Sequence, residues 1–318
     1  MKKFLVVICI LLSVVYLTLS TLEMKRPGKS GYNNIKFAPV PAQTLALISH
    51  VAENKKEGKP KNLKMVSSMQ EVLPVEHPQA SFIKKLKREK IIQVRVEDGF
   101  AIAYGDVLLG EVDMETVGNS VPDDLYVEAT AINLWDSNII PYYIEPDLAN
   151  KIEVEQAIGI INKTTVMEFV PLDSSKVDGI VFRAGKKNCY SYLGKIGGIQ
   201  PVMLAPQCKV IEILHEILHA LGFIHEQSRS DRDEFITILW ENIIPEYFSQ
   251  FQMVPDNYMV TVEGTDFDFS SIMLYKPDSF AKLDGMKTMQ AKGAGQFVLP
   301  AGNLGKIDIE RIDRIYGK

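Results

Sequence analysis

The sequence predicts an α+β fold for the larger, C-terminal part of the chain. From about Leu134 onward, short apolar runs typical of strands alternate with stretches of helical period. The 318 residues include 46% hydrophobic and 24% charged residues, which is the composition of a globular protein with a sizeable core. The net charge of −5 argues against nucleic acid as a partner.

The first element is an apolar N-terminal run. Two lysines precede FLVVICILLSVVYLTL, which is typical of a secretory signal peptide and assigns that role to residues 1–22. No clean small-x-small cleavage site follows, and the run is nearly long enough to span a bilayer, so a retained membrane anchor over residues 4–22 is the alternative. Both interpretations carry the remainder across a membrane. We expect a secreted, extracellular protein, in preference to a periplasmic or anchored one.

The next elements are a hairpin and then the alternating strands and helices of the C-terminal part. IIQVRVEDGFAIAYGDVLLGEV alternates in polarity, which predicts a hairpin around Glu97-Asp98-Gly99. The strands predicted further along are IIPYYIEP, VMEFVPL and GIVFRAG, and the helices are VEQAIGIINKTT, VIEILHEILHALG and IDIERIDRIY. The second of these helices should end at Gly222.

Three of the five histidines lie in HEILHALGFIHE. His215 and His219 are four residues apart, so on a helix their imidazoles point the same way from successive turns. Gly222 can take a positive φ and reverse the chain, which returns His225 as a third ligand. Three nitrogens and an open position describe a catalytic zinc site, with one Zn²⁺ per chain.

Glu216 lies one step round the helix from His215 and can address a water without being a ligand itself, as a general base does. A chance pattern of these residues at these spacings has odds of about one in 10⁵ for this length and composition, so accident is not a competitive explanation. Cys9 lies in the apolar run, which leaves Cys189 and Cys208 as a pair in an exported chain and predicts one disulfide.

The longer string HEILHALGFIHEQSRSDRDEFI resembles the astacin family of zinc endopeptidases, which are metzincins. The resemblance also covers LWDSNIIPYYI, CYSYLGKIGGIQ, DFDFSSIMLY and IDIERIDRIY, and runs from about Leu134 to the C-terminus. It implies a metzincin domain with a mixed, mostly parallel sheet and an active-site helix, preceded by a small prosegment.

The resemblance also assigns further site residues. Met273 matches the methionine turned beneath the zinc, and Tyr275 matches a tyrosine that hydrogen-bonds the developing oxyanion. Glu226 matches a glutamate that is linked to the N-terminus freed by activation. Leu274 is a departure, because the family usually has histidine there.

The resemblance covers one family disulfide, Cys189 with Cys208, and departs at the other. Val166 stands where the family has a cysteine, and the chain ends in YGK without a terminal one. We therefore expect a C-terminal end that is less firmly tethered than in the family.

A prosegment in this family silences the enzyme with an aspartate in an FxGD motif. AYGDV offers Asp106, although the phenylalanine is replaced by Ala103. The resemblance therefore divides the chain into the signal peptide or anchor, a prosegment over 23–126 with Asp106 as the zymogen switch, and a zinc peptidase domain over 127–318. An activating protease would cut near 120–130.

The expected function is that of a secreted zinc-dependent endopeptidase, made as a zymogen, which hydrolyses internal peptide bonds of protein or peptide substrates. The alternative is an extracellular binding protein on a metzincin fold, either non-catalytic or tethered to a membrane. Glu216 and Tyr275 favour the enzyme, because binding alone needs neither.

Overall fold

The structure is a computed structural model that describes residues 91–97, 99–111, 125–129, 131–173, 178–300 and 302–318. The described residues belong to one compact unit of the chain. The predicted signal peptide or anchor, 1–22, lies outside them. Among the helices of the described part, none is long and apolar enough to cross a lipid bilayer.

The described part contains β-strands, α-helices and several short 3₁₀ turns. The strands are β1 Ile91–Glu97, β2 Phe100–Ala103, β3 Val107–Glu111, β4 Leu125–Glu128, β5 Ile139–Ile144, β6 Glu168–Pro171, β7 Gly179–Ala184, β8 Tyr190–Tyr192, β9 Ile199–Leu204, β10 Ile236–Ile238 and β11 Met289–Ala291. The helices are α1 Lys151–Thr164, α2 Val210–Ala220 and α3 Lys306–Tyr316.

Nine of these strands form one sheet in the order β4-β1-β2-β3-β8-β9-β7-β5-β6. Within its C-terminal half, β9, β7, β5 and β6 pair in parallel and β8 pairs with β9 antiparallel. This part is a mixed, mostly parallel sheet, so the α+β prediction is confirmed. The antiparallel strands β1 to β4 extend the same sheet, because β3 pairs in parallel with β8.

Helices α1 and α2 bury one apolar face each in the main core. The buried positions of α1 recur at three- and four-residue spacing, which is the period of a helix with one face inward: Val154, Ala157, Ile158 and Ile161. In α2 the same period buries Ile213, Leu214, Ile217 and Leu218. Trp135 Nε1 donates to the carbonyl of Ala220 at 2.8 Å and fixes the end of α2 beside the sheet.

The hairpin forms at the predicted turn, with Glu97 paired to Phe100. Sequence reasoning did not identify β9, because Pro201 lies inside it and a proline argues against a central strand. That strand is buried at every position, so it also shows no alternation of polarity. The region after α2 is irregular as expected, apart from the small sheet of β10 and β11.

The structure joins Cys189 and Cys208 in a disulfide, with Cα atoms 6.5 Å apart. Cys189 precedes β8 and Cys208 precedes α2. The bond therefore closes the loop of β8 and β9 directly in front of the helix that carries His215 and His219.

Candidate metal centre and active site

Helix α2 presents His215 and His219 from successive turns, as the four-residue spacing predicts. His219 is fully buried, and 15% of the His215 side chain is exposed. Each ring is oriented through its other nitrogen: His215 Nδ1 contacts the Ile272 carbonyl and His219 Nδ1 the Phe223 carbonyl, both at 2.8 Å. With Nδ1 donating to a carbonyl, the lone pair of each Nε2 is left for a metal.

Gly222 reverses the chain after α2. Its φ is +96°, and a Cβ at this position would lie 2.6 Å from Leu134 Cδ2. The amide of Gly222 donates to the His219 carbonyl at 2.8 Å, and its carbonyl accepts from Thr261 Oγ1 at 3.0 Å. Only glycine fits both the backbone conformation and the space, so the return of the chain to His225 depends on it.

The turn at 271–275 supports the site from below. The Ile272 carbonyl contacts His215, and the Met273 carbonyl accepts from the Glu226 amide at 3.0 Å. Met273 is 2% exposed and lies in the main core cluster. The turn therefore holds both α2 and the residue that follows His225.

The three imidazoles converge on one point. Nε2 of His225 lies 3.0 Å from Nε2 of His215 and 3.3 Å from Nε2 of His219. A tetrahedral site with zinc–nitrogen bonds of about 2.0 Å has ligand–ligand edges of about 3.3 Å. Buried lone pairs that face each other at this distance repel unless a cation lies between them, so the residues fit Zn²⁺.

The Asp106 carboxylate occupies the fourth coordination position of this tetrahedral site. Its carboxylate oxygens lie 3.4 Å from His215 Nε2, 3.2 Å from His219 Nε2 and 3.3 Å from His225 Nε2. One ligand atom from each of these four side chains lies within 4.8 Å of the other three. A carboxylate therefore stands where an open catalytic site would hold solvent.

A tight turn carries Asp106 into the site. Tyr104 and Gly105 both have positive φ, +50° and +106°. The Gly105 carbonyl accepts from Arg95 Nη2 at 2.5 Å, and the Asp106 carbonyl accepts from the Ser191 amide at 3.0 Å. The turn is thus held by β1 on one side and β8 on the other.

The charged groups in the site shift one another's pKa values. Burial alone would raise the pKa of Asp106, but the neighbouring imidazoles, His225 foremost, hold it well below its usual range. Burial opposes the charged form of His215, yet the hydrogen bond and charge of Asp106 raise its pKa to about 9. Burial dominates at His219 and lowers its pKa to about 4.

Glu216 is 2% exposed and lies among these groups. Burial, and then the negative charge of Asp106, raise the pKa of Glu216 well above its usual value. Its Oε2 has no hydrogen-bond partner in the described part of the chain. A buried carboxyl group that lies beside three converging imidazoles without ligating the same point is placed to act as a general base towards a water held there.

Tyr275 approaches from the turn at 271–275. Its hydroxyl donates to the Tyr104 carbonyl at 2.8 Å and also lies 3.1 Å from Gln250 Oε1. Burial, and then Asp106, raise the pKa of Tyr275 well above its usual value. The phenol therefore keeps its proton and is a hydrogen-bond donor close to His225, whose ring centroid is 4.8 Å away.

Glu226 is fully buried beside the site and accepts from two arginines, Arg311 and Arg229, and from the Asp268 amide. Burial raises its pKa, and the two arginine charges oppose that shift. The structure thus gives Glu226 partners within the described part of the chain.

Sequence reasoning did not identify several residues that contact the site. Ser191 donates its hydroxyl to the Glu216 carbonyl at 2.8 Å, and Gln227 Oε1 accepts from the Tyr275 amide at 3.2 Å. Both stand inside strings that carry the family resemblance, CYSYLGKIGGIQ and HEQ, so the motif could have drawn attention to them. Gln250 and Arg95 lie in no motif, and only packing brings them to the site.

Comparison with known proteins agrees with this geometry. The family model for Astacin, a family of peptidases, matches residues 127–317. Zinc metalloproteinase nas-4 of Caenorhabditis elegans is 31% identical over 231 residues, covering 70% of this chain and 72% of that protein. For zinc metalloproteinase nas-12 of the same nematode, identity is 32% over 226 residues, and the chain spans only 58% of that relative.

A toxin and a solved enzyme structure give the same result. Astacin-like metalloprotease toxin 1 of Loxosceles intermedia is 32% identical over 229 residues, 70% of this chain and 83% of the toxin. High choriolytic enzyme 1, a hatching enzyme zinc-protease from the medaka fish Oryzias latipes, matches with a TM-score of 0.50 and 32% identity, over 59% of this chain and 99% of that one. The chain belongs to the astacin family of peptidases, whose zinc metalloendopeptidase activity and Zn²⁺ cofactor it shares.

Proposed function

We propose that this chain is a secreted endopeptidase synthesised as a zymogen, with residues 23–126 as its prosegment and 127–318 as its catalytic domain. The observation that carries the proposal is the position of Asp106, whose carboxylate lies 3.2–3.4 Å from the Nε2 atoms of all three histidines. A substrate carbonyl and a water cannot enter while that carboxylate is in place, so the latent form is inactive.

In the active form His215, His219 and His225 hold Zn²⁺, which supplies a Lewis acid that polarises the scissile carbonyl and makes water acidic. The remaining chemistry belongs to side chains of the chain. Glu216 accepts the proton of the attacking water and then delivers it to the leaving amine. Tyr275, freed from the Tyr104 carbonyl, donates a hydrogen bond from its hydroxyl to the oxyanion of the tetrahedral intermediate.

Activation requires an outside protease in this proposal. Cleavage near 120–130 would break the covalent link between the segment of β1 to β3, which carries Asp106, and the catalytic domain, and that region adjoins the start of the family match at residue 127. Residues 112–124 are outside the described part, so the site of the cut is assigned from the sequence alone.

The alternative is an extracellular binding protein on the same fold, non-catalytic or held at a membrane through residues 4–22. Within the described ranges, Glu216 Oε2 is buried beside the histidines without a hydrogen-bond partner, which argues for the enzyme, because a binding protein has no use for a group that is costly to bury.

The test is casein hydrolysis by the full chain before and after limited proteolysis, with and without 1,10-phenanthroline. We expect no turnover before cleavage, turnover after it, and loss of turnover on chelation that added zinc restores. N-terminal sequencing of the secreted product separates a cleaved signal peptide from a retained anchor. Activity that survives chelation, or full activity of the uncut chain, would refute the proposal.

A further inference from the structure

Gln250 lies next to the hydroxyl of Tyr275 within the catalytic domain. Its Oε1 is 3.1 Å from the Tyr275 phenolic oxygen, and the residue is 5% exposed. It belongs to the 3₁₀ segment Pro245–Phe251, which no motif singles out. The contact therefore places an amide side chain in direct reach of the group that we propose to donate to the oxyanion.

The phenol has one proton and two acceptors beside it. The Tyr104 carbonyl, at 2.8 Å, is nearer than Gln250 Oε1 and takes that proton in the latent form. Tyr104 belongs to the proposed prosegment and leaves on activation. Gln250 stays, because it belongs to the catalytic domain.

The frame around this pair also belongs to the catalytic domain. The Tyr275 ring centroid lies 6.0 Å from that of Phe251 and 5.3 Å from that of Phe280. Phe251 directly follows Gln250, and its carbonyl accepts from Arg232 Nη1 at 2.6 Å. The backbone that carries Gln250 is therefore fixed by contacts that the prosegment does not make.

We propose that Gln250 is a positioning residue that holds the Tyr275 hydroxyl for oxyanion stabilisation once the prosegment has left. This rests on the proposed role of Tyr275. During the reaction the phenol uses its only O–H in a hydrogen bond to the oxyanion, so its anchor must donate to the phenolic oxygen. A carboxamide can do so through Nε2 after a half turn about its last bond, whereas a carboxylate cannot.

The experiment compares Gln250→Met and Gln250→Glu in the activated enzyme. Methionine keeps the length and loses both hydrogen-bonding atoms, and glutamate keeps only the acceptor. We expect kcat to fall about tenfold in both, the size of one net hydrogen bond, with KM within twofold. Gln290→Met, on the exposed face of β11, is the matched control and should leave both constants unchanged.

A double-mutant cycle with Tyr275→Phe separates positioning from a general effect on the fold. We expect Gln250→Met to cost less than twofold in the Tyr275→Phe background, because the group on which it acts is gone. An equal loss in both backgrounds, or no loss from Gln250→Met where Tyr275→Phe is impaired, overturns the inference while the proposed function stands. No loss from Tyr275→Phe itself overturns the tyrosine's proposed role and the inference together.

Zinc content and urea unfolding midpoints are measured for every variant, so that a misfolded protein is not counted as an impaired one. If the methionine variant does not fold, the glutamate variant alone decides, since it preserves the shape of the side chain. Retention of full kcat by Gln250→Glu would refute the donor role assigned to the amide.

Discussion

Glu216 is a buried carboxylate that the fold keeps without a hydrogen-bond partner at Oε2, among the described residues, beside three imidazoles. Such a group is costly to bury, so its presence needs a functional reason. It follows His215 in α2, and its carbonyl is held by the Ser191 hydroxyl. The position of Glu216 in α2 therefore sets the direction of its side chain, and the hydrogen bond from Ser191 in β8 fixes its backbone.

Glu216→Gln should lower kcat of the activated enzyme by about 10²–10⁴-fold, because an amide cannot accept the proton of the attacking water. Zinc content should not change, since Glu216 is not a ligand. Peptide hydrolysis and metal analysis on the same sample provide the check. Glu212→Gln is the matched control, one turn earlier on α2 and exposed, with an oxygen still available to its Lys209 amide partner. Equal activity of the two variants would contradict the assigned role.

Gly105 lies where any side chain would collide with the active site. A Cβ built there would be 2.4 Å from the Tyr275 hydroxyl oxygen and 2.5 Å from Gln250 Oε1, and φ is +106°. Glycine is thus what lets the chain bring Asp106 so close to the histidines.

Gly105→Ala should weaken latency and leave the mature enzyme unaltered, because the altered residue is removed with the proposed prosegment. Activity of the uncut chain on a fluorogenic peptide is the measurement, and we expect it to rise above that of the wild type. Gly99→Ala is the control: its φ is +84° but its Cβ would meet nothing within 4 Å. The Gly99→Ala variant carries the cost of a positive φ, about 1–3 kcal/mol, without a steric collision, so its uncut chain should remain as inactive as the wild type.

At the scale of elements, α3 is anchored although the second family disulfide is absent. The Val166 amide donates to Asp313 Oδ1 at 2.8 Å, at the position where the sequence resemblance implies a family cysteine. Tyr316 donates its hydroxyl to the Leu221 carbonyl at 2.6 Å, and Arg311 pairs with buried Glu226. Side-chain contacts from the second half of α3 therefore connect the C-terminal end to the rest of the domain, including Glu226 beside the site.

Arg311→Met should destabilise the folded chain by about 3 kcal/mol, because it removes one partner of a fully buried carboxylate. Arg314→Met, on the same helix, is the control. Among the residues that the structure describes, Arg314 donates to the backbone carbonyls of Glu263 and Thr261, so its loss should cost about 1 kcal/mol. Urea unfolding at neutral pH gives both values, and equal losses would mean that the Glu226 pair carries no special stability.

At the scale of the whole molecule, the proposed prosegment is part of the main sheet. β3 pairs with β8, and β4 pairs with β1 in the register Ile91 to Glu128 through Val94 to Leu125. The proposed domain boundary after residue 126 therefore falls inside β4. Apolar side chains of both segments also share one buried cluster, which includes Tyr104, Ile224 and Tyr258.

A cut on the N-terminal side of β4 should therefore not release the inhibitor at once, because both strand pairings and the shared apolar cluster survive it. We expect the nicked chain to elute as one species in gel filtration, and activity to rise more slowly than the cut accumulates on a gel. Asp106→Ala should shorten this lag, since the carboxylate at the site is gone. If activity instead rises at the same rate as cleavage, the β1–β4 and β3–β8 pairings do not retain the N-terminal fragment, and this prediction is wrong.

The sequence by itself determined the parts of the site whose geometry is local. His219 follows His215 by four residues, which is about one helical turn, and Gly222 reverses the chain soon afterwards, so the local spacing sets the arrangement of these residues. The three helices and the strands β5, β6 and β7 of the C-terminal part were predictable for the same reason, since the pattern of buried and exposed positions is visible within a short segment, whereas β8 to β11 were not predicted.

Only the tertiary structure decided which distant groups meet those histidines. The Tyr275 hydroxyl and the Tyr104 carbonyl are 171 residues apart in the chain, and Gln250 reaches the same hydroxyl from a segment with no motif. The joining of β3 to β8, which directs Asp106 inward, is likewise a contact between distant segments. Such contacts depend on how whole helices and strands pack together, and a local sequence pattern does not predict them.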